Sequence, residues 1–313
     1  MSPKRVFWIA GIAAVLYAGF GYWVVNNFDI PPLRGAAIFI VILAAIAEIG
    51  GKWFFGLLFR ESIQRTGSDV APWIAFKAAL VGAGVARLIP AGGAITPVAL
   101  SWAVRDQTDD GTAGPGIRTV LLNYAGLLMM AGAGLLLERP RGTIPVFSTS
   151  LLVIAPIILA IGGLLMFGSG RLGSISRYLP QFIRRRIEAS MVNHPPRWES
   201  QLYVWTRLAL EVTALWLVMA AFNIDLSVFE AVAIFAASQL IGGLPGTPGG
   251  LGIAEFGMGV VMAAYGYPAR IAVAPILVYR VVNYWLPAGF SLLAGGSTFL
   301  ASEEAKAAAA EAE

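Results

Sequence analysis

A run of glycines and prolines interrupts the last third of this chain, between two stretches that are apolar enough to lie in a membrane. It reads GGLPGTPGGLGIAE from Gly242 to Glu255, and seven of its first nine residues are glycine or proline. No regular helix continues through such a sequence, because proline lacks a backbone donor and glycine weakens helices. In lipid, unpaired backbone groups are tolerated only inside protein or beside water. The run therefore predicts a broken helix at a binding site.

A second, shorter break lies in the first half of the chain. Residues Arg87 to Pro97 read RLIPAGGAITP and again separate apolar segments. Corresponding breaks in the two halves of a membrane protein are the best sequence indication of a transporter site. We therefore expect the two breaks to form one paired site.

The segments around the breaks make this an integral membrane protein. The 313 residues are 58% hydrophobic and 13% charged, whereas about 25% of the residues in a soluble domain are charged. Residues 1–300 are expected to form a single transmembrane domain, interrupted by a basic loop at 171–201 and followed by a disordered tail at 301–313. This leaves no room for a soluble catalytic domain, and the protein is not expected to be an enzyme.

Hydropathy predicts an all-α polytopic membrane protein with six full spans and two re-entrant helical hairpins. The spans begin near residues 6, 34, 117, 144, 202 and 271, and each has about the 20 apolar residues that cross a bilayer. The second span is expected to end at Phe59, before a polar loop from Arg60 to Asp69. The hairpins are the broken segments Val70–Val104 and Val228–Ala264. The order span, span, hairpin, span occurs twice with opposite orientation. This predicts an inverted-topology repeat with halves at about 6–137 and 144–300.

The basic loop sets the expected orientation. It contains six arginines, and by the positive-inside rule it lies in the cytoplasm, as do Lys4 and Arg5 at the N-terminus. Two re-entrant hairpins make these placements consistent and put the C-terminus in the cytoplasm as well.

Two pairs of opposite charges lie within predicted spans. Glu48 and Lys52 are four residues apart, as are Arg207 and Glu211, so each pair shares one helix face. Pairing lowers the cost of holding either charge in lipid. We expect both to be mainly structural ion pairs.

Motifs for soluble-enzyme chemistry are missing from the sequence. It contains no phosphate-binding loop of the nucleotide-hydrolase type, no cluster of metal ligands and no cysteine. We expect no cofactor, no metal and no ATP-driven transport by this chain alone. The basic excess lies in one loop beside membrane spans, so nucleic acid is not an expected partner either.

The second break and the last span together resemble a known family. GLPGTPGGLGIAE at 243–255, followed by Arg270, Arg280 and Tyr284, resembles the lysylphosphatidylglycerol synthetase transmembrane-region family, and the first break is a weaker match. The resemblance covers nearly all of residues 6–300. It implies a flippase fold with inverted repeats that moves a lipid between leaflets of the bacterial plasma (inner) membrane. The soluble aminoacyl-transferase domain of longer relatives has no counterpart here, so lysyl-lipid synthesis is not implied.

The charges nearest the breaks are the candidate site for the lipid head group. Arg87 and Arg280 are expected to contact phosphate through their guanidinium groups. Glu255 is expected to pair with either arginine, to receive a cationic head group or to bind a coupling proton. Half-helices that follow the breaks direct free N–H groups at an anion. The candidate substrate-binding residues are Arg87, Pro90, Gly92, Gly93, Pro245, Pro248, Gly249, Gly250, Glu255, Arg280 and Tyr284.

Two other functions stay open at this point. Broken half-helices in inverted repeats also serve secondary transporters of a small anion or amino acid. A non-transporting membrane partner would instead present its basic loop to a separate lipid-modifying enzyme. The expected ligand is a membrane lipid with an anionic or aminoacylated head group, and a homodimer is a further expectation.

Overall fold

The computed structural model of this chain describes residues 35–88, 92–108, 113–137, 145–167, 197–242, 250–296 and 298–299, with single positions between Trp8 and Asn26. Every regular element within these residues is helical. The helices are α1 Ala36–Gln64, α2 Pro72–Leu88, α3 Thr96–Trp102, α4 Ala113–Leu137, α5 Pro145–Phe167, α6 Trp198–Ala221, α7 Val228–Gly242, α8 Ile253–Ala264 and α9 Ala269–Gly296.

Four of these helices are long and apolar enough to cross a membrane. They are α1, α4 from Gly114, α6 and α9. They correspond to four of the six predicted spans. The span predicted from residue 6 lies largely outside the described residues, and the one predicted from residue 144 corresponds to α5, whose apolar part is described from Val153 to Phe167. The chain is therefore an all-helical membrane protein throughout the part that the structure describes.

Each predicted break lies between two short helices that pack against each other. At the first break α2 has 17 residues and α3 has 7. At the second, α7 has 15 residues and α8 has 12. A side-chain carbon on Gly82 of α2 would lie 3.1 Å from Leu100 of α3, and one on Gly257 of α8 would lie 3.0 Å from Ile241 of α7. None of the four has the roughly 20 residues that span a bilayer.

The centre of the protein is the contact between α1 and α6. Gly51 of α1 lies directly against Glu211 of α6, where an added side-chain carbon would be 3.0 Å from the glutamate. Around this pair, α2 packs on α9 through Gly84 and Ser291, and α7 packs on α4. Apolar side chains such as Ile46 are exposed on the outside, as expected of a surface in lipid.

Helix α1 continues five residues beyond Phe59, where the sequence predicted the end of a span and a polar loop from Arg60 to Asp69. That prediction is wrong for residues 60–64. The extra turn is helical because its charges are paired: Glu61 contacts Arg65 at 2.6 Å and Arg118 of α4 at 2.7 Å.

Helix α9 changes its winding immediately after Arg280. Residues Ala269–Arg280 form an ordinary α-helix, and Val281–Trp285 form a π-helical turn before the α-helix resumes at Leu286. Single π-helical turns inside helices are frequent at functional sites. Here the turn positions Asn283 and Tyr284 beside the arginines described below.

Candidate substrate-binding cavity

A polar cavity lies between the two helical breaks, at the centre of the helix assembly. Its volume is about 140 Å³, which is room for on the order of ten water molecules. Eight helices and the turn of the first break contribute to its wall, from both halves of the chain. The polar residues that border it are Lys52, Arg87, Thr96, Asn123, Tyr124, Arg207, Glu211, Ser238, Gln239, Arg280 and Asn283.

The charges around this cavity form a set that we call the cavity network. Its members are Glu48, Lys52, Arg87, Arg207, Glu211, Glu255 and Arg280. The four cationic residues all border the cavity. Charged side chains inside a membrane protein are costly and usually mark a substrate or ion pathway. The network is therefore the principal candidate for a functional site.

Lys52 joins the two halves of the network. Its ammonium group lies 2.6 Å from Glu48 on the same helix, and it also donates a hydrogen bond to Glu211 on α6. Arg207 contacts the same Glu211 carboxylate, with its Nη2 at 3.0 Å and 3.2 Å from the two oxygens. Both ion pairs predicted from four-residue spacing are thus present. The sequence did not indicate that Lys52 connects them into one network.

Several polar atoms of the cavity wall have no hydrogen-bond partner within the described part of the chain. They include Nε and Nη1 of Arg207 and Oδ1 of Asn123. The Arg207 guanidinium also lies over the ring of Phe55, 4.5 Å from its centroid, which fixes its orientation. Buried donors without partners are uncommon in proteins, so these atoms indicate a place for water or a ligand.

Arg87 ends α2 at the edge of the first break. It donates from Nη1 to the carbonyl of Ala83 at 2.6 Å and from Nε to the carbonyl of Asn283 at 3.0 Å. Its own carbonyl accepts a hydrogen bond of 2.6 Å from the Tyr284 hydroxyl. The side chain thus bonds to carbonyls of both α2 and α9 and connects the two helices.

Glu255 pairs with Arg280, one of the arrangements that the sequence predicted. The carboxylate Oε1 lies 2.8 Å from Arg280 Nε, and the guanidinium lies over the Tyr284 ring at 4.8 Å from its centroid. The other carboxylate oxygen accepts a hydrogen bond of 2.8 Å from the N–H of Gly252. Glu255 therefore caps α8, and that amide is already occupied by the protein's own carboxylate.

Glycine is required where the second break turns back on itself. Gly250 has φ +70°, and an added side-chain carbon would lie 2.4 Å from the carbonyl oxygen of Gly242. Residues other than glycine rarely adopt this conformation. Gly252 also has a positive φ, +82°, but it has open space around it. The close approach of 250 to 242 places the start of α8 beside the cavity.

The structure assigns different positions to the predicted site residues. Arg87, Gly93 and Arg280 border the cavity. Glu255 and Tyr284 contact Arg280 but are not part of the cavity wall. Gly92 lies in a short 3₁₀ turn at the first break, and Gly250 shapes the second. Four predicted residues, Pro90, Pro245, Pro248 and Gly249, lie outside the described residues.

Sequence reasoning missed the three side-chain amides of the cavity wall, Asn123, Gln239 and Asn283. Each is a polar residue within an apolar helix, and that isolation is the signal that would have found them. It also assigned Lys52, Arg207 and Glu211 to structural pairs, although all three border the cavity.

A second group of buried polar residues, which we call the closed cluster, lies at the polar end of α1. It comprises Glu61, Ser62, Arg65, Arg118, Thr119 and Ser200. Arg118 donates to Glu61 at 2.7 Å and to Ser62 at 2.8 Å. The cluster joins α1, α4 and α6, and none of its members borders the cavity.

These features define a class of protein: a polytopic helical membrane protein with a charged internal cavity between two interrupted helical segments. The chain matches the model of the family described as lysylphosphatidylglycerol synthase TM region over residues 8–291. The chain belongs to this family, which confirms the resemblance indicated by the second break.

Two curated relatives are described as UPF0104 membrane proteins, both from Methanothermobacter thermautotrophicus. One is 33% identical over 77 residues and the other is 32% identical over 78 residues. The match covers 25% of this chain and 23% of each relative. Their similarity therefore supports membership of a membrane-protein group and carries no activity with it.

Proposed function

We propose that this protein moves a lipid with a charged head group, phospholipid or aminoacyl-phospholipid, between the leaflets of a cell membrane. The head group enters the cavity while the acyl chains stay in the surrounding lipid. The observation that carries this proposal is the cavity bordered by four cationic side chains within an apolar helical protein. Membership of a family of lipid-synthase membrane regions supports a lipid as the ligand.

The charge of the cavity network favours an anion. Its four cations, Lys52, Arg87, Arg207 and Arg280, face three carboxylates, which leaves a net charge of +1 when all are ionised. A phosphodiester carries one negative charge and accepts several hydrogen bonds. Guanidinium groups bind such an oxyanion with strong, charge-assisted hydrogen bonds. We assign phosphate binding to Arg87, Arg207 and Arg280.

A short distance separates the cavity from the lipid-facing surface at the start of α8. Ala254 borders the cavity and is 2% exposed, whereas Phe256, two residues further along the chain, is 74% exposed. Gly252, on the other side, is also exposed. A head group that passes beside Glu255 thus moves between lipid and cavity within about one helical turn. This arrangement favours a lipid substrate.

The packing of the short helices supports re-entrant hairpins in an inverted repeat. In the proposed repeat α1 corresponds to α6, α2 and α3 to α7 and α8, and α4 to α9. The contact of α2 with α9 then corresponds to the contact of α7 with α4, and both contacts are present. The breaks of the two hairpins border one cavity from the two halves, which is the arrangement that alternating access uses.

A secondary transporter of a small anion or amino acid is the competing function. The cavity volume favours it, because about 140 Å³ is small beside the 300–1,000 Å³ of ordinary ligand pockets. A phosphate-sized anion fits this space entirely, whereas a lipid fits only with its head group.

Leaflet translocation in proteoliposomes tests the proposal. Purified protein is reconstituted with a trace of fluorescent phosphatidylglycerol, and loss of fluorescence on adding an impermeant quencher measures translocation. We expect wild-type protein to exceed empty liposomes and Arg280→Gln to reduce the rate about tenfold, since hydrogen bonds to charged groups contribute about 1.5–3 kcal/mol. Arg60→Gln is the matched control, because Arg60 forms a partly exposed pair with Asp69.

Equal rates in wild-type, Arg280→Gln and protein-free liposomes would contradict lipid transport. The same vesicles distinguish the competing function through uptake of radiolabelled phosphate. Uptake of phosphate without lipid translocation would favour the small-anion transporter.

A further inference from the structure

Glu48 is the most deeply buried carboxylate of the cavity network. It lies in the middle of α1 with no exposed surface. Its Oε1 is 2.6 Å from Lys52 and 3.9 Å from Arg87 Nη2, and it accepts a long hydrogen bond of 3.4 Å from Asn283. Its Oε2 has no hydrogen-bond partner within the described part of the chain. A buried carboxylate with one unpaired oxygen is costly in its ionised form.

The other two carboxylates of the network are better compensated. Glu211 shares Lys52 with Glu48 but also receives Arg207 on both of its oxygens. Glu255 has Arg280 at 2.8 Å on one oxygen and the Gly252 N–H at 2.8 Å on the other. Of the three carboxylates, Glu48 is therefore the one whose negative charge is least stabilised by its surroundings.

The cations that stabilise Glu48 are the ones that border the cavity. Lys52 and Arg87 both line its wall, whereas Glu48 lies behind them. An anion in the cavity attracts the same two cations and adds a negative charge near the carboxylate. Both effects disfavour ionised Glu48, since an opposite charge supports the charged form and a like charge opposes it.

We infer that Glu48 is a proton-binding site that takes up a proton from water when an anionic head group enters the cavity. This inference rests on the function proposed above and adds its energy source. The proton binds a carboxylate oxygen of Glu48, neutralises it and leaves the charge of Lys52 and Arg87 to the anion. By thermodynamic linkage, each ligand then raises the affinity for the other by the same factor.

The groups around Glu48 are consistent with this role. Lys52 on α1, Arg87 on α2 and Glu211 on α6 are the nearest charges. Tyr279 on α9 is fully buried and its hydroxyl has no partner within the described residues, and Tyr124 of α4 borders the same cavity. Arg207 and Arg280 complete the set on α6 and α9. Among the three carboxylates, Glu48 has one cation that it shares with Glu211 and a second that lies 3.9 Å away.

Coupling to a proton gradient would supply the energy for transport, since the sequence contains no phosphate-binding loop for ATP hydrolysis. A transmembrane proton gradient would load the cavity with anion and proton together on the acidic side and release both on the other. Net transport of lipid would then follow the proton gradient.

Proton uptake on lipid binding tests the inference directly. Purified protein in weakly buffered detergent is titrated with short-chain phosphatidylglycerol while a pH indicator records proton uptake. We expect uptake approaching one proton per bound lipid in wild-type protein and none in Glu48→Gln. Phosphatidylcholine and inorganic phosphate are added in parallel. Uptake with phosphate alone would show that the anion, rather than the whole lipid, is sensed at this site.

Glu230→Gln is the matched control. Glu230 is equally buried at 3% exposure, but it does not border the cavity and instead accepts hydrogen bonds from the Ser227 N–H and the Tyr267 hydroxyl, both at 2.9 Å. It is expected to keep the wild-type proton uptake.

If Glu48→Gln does not fold, the pH dependence of phosphatidylglycerol affinity in wild-type protein tests the inference instead. Coupling to one proton weakens binding by up to about tenfold per pH unit as the pH rises. Four results would each overturn the inference. They are lipid binding without proton uptake, undiminished proton uptake in Glu48→Gln, a lipid affinity that stays constant from acidic to alkaline pH, and no lipid binding at all. Lipid translocation without proton uptake would contradict the inference and leave the proposed function supported. Proton uptake without translocation would contradict the proposed function and leave proton binding at Glu48 supported.

Discussion

The cavity network and the closed cluster are both groups of buried charged and polar side chains, but their surroundings differ. The cavity network joins α1 to α6 through the ion pair of Lys52 and Glu211. The closed cluster joins α1 to α4 through the ion pair of Glu61 and Arg118, and Arg118 also donates a hydrogen bond to Ser200 of α6. In the closed cluster, Arg118 donates to three oxygens, Nη2 of Arg65 is the one buried polar atom without a partner within the described residues, and none of the cluster's residues borders the cavity. In the cavity network, the cations line an internal space and several wall atoms lack partners within the described residues. The difference favours a structural role for the closed cluster and supports the ligand-binding role proposed for the cavity network.

The largest expected effect on stability is in the closed cluster. Arg118→Ala leaves Glu61 buried at 5% exposure without its interhelical cation, although Arg65 remains. Removing one partner of a buried ion pair costs about 3–5 kcal/mol. Equilibrium unfolding in detergent measures the loss, and the translocation rate per folded molecule should stay unchanged. A loss below about 1 kcal/mol would show that the cluster does not carry this structural role.

Substitutions at the second break test how the cavity network depends on the backbone. Gly250→Ala places a carbon 2.4 Å from the Gly242 carbonyl oxygen and also forces a positive φ. Left-handed backbone costs about 1–2 kcal/mol and overpacking about 1–3 kcal/mol more. Gly252→Ala has the φ cost without a close contact. We expect unfolding measurements to show a larger loss for Gly250→Ala, and equal losses would contradict the close approach.

Glu255→Gln separates transport from stability within the cavity network. The amide still accepts a hydrogen bond from Gly252, but it no longer neutralises Arg280, so the cavity becomes more positive. We expect the free energy of unfolding to fall by about 1.5–3 kcal/mol, the contribution of a hydrogen bond to a charged group, while lipid translocation per folded molecule falls several-fold because the anion is held too tightly to leave. Reconstituted vesicles measure the rate, and an unchanged rate would remove Glu255 from the pathway.

The smallest expected effect is at the surface pair between Arg60, near the end of α1, and Asp69, in the loop that follows. Slight burial raises the pKa of the Asp69 carboxyl, but hydrogen bonds from Arg60 and the Val70 N–H outweigh it, so the pKa is lowered. A lowered pKa means that the ionised form stabilises the fold at neutral pH and that this contribution is lost as the pH falls through the lowered pKa. Asp69→Asn should cost less than about 1 kcal/mol at neutral pH and nothing in strong acid. A difference that persists in acid would contradict the assignment.

Much of the fold followed from patterns that are local in the sequence. Apolar runs of about 20 residues predicted the helices α1, α4, α6 and α9, because length and hydropathy alone decide whether a helix can cross a membrane. Glycine and proline predicted both breaks for an equally local reason. The end of α1 was misplaced, since the contact that keeps residues 60–64 helical comes from Arg118, more than fifty residues away.

The candidate site was predicted only in part for the same reason. Four-residue spacing indicated the pairs Glu48–Lys52 and Arg207–Glu211, and the break motif drew attention to Glu255 and its arginine. The contact of Lys52 with Glu211 joins residues 159 apart in sequence. No spacing rule reaches that distance, and so the cavity that these pairs surround became visible only in three dimensions.

The central claim, that the cavity receives an anionic lipid head group, is tested most directly by cysteine accessibility. The chain contains no cysteine, so a single introduced thiol reports one position. Ala86→Cys lies on the cavity wall, and Ala125→Cys lies in the core, fully buried and away from the cavity. We expect a water-soluble thiol reagent to modify the first and not the second, and saturating phosphatidylglycerol, unlike phosphatidylcholine, to protect it. Modification of Ala86→Cys that is unchanged by phosphatidylglycerol would contradict the claim.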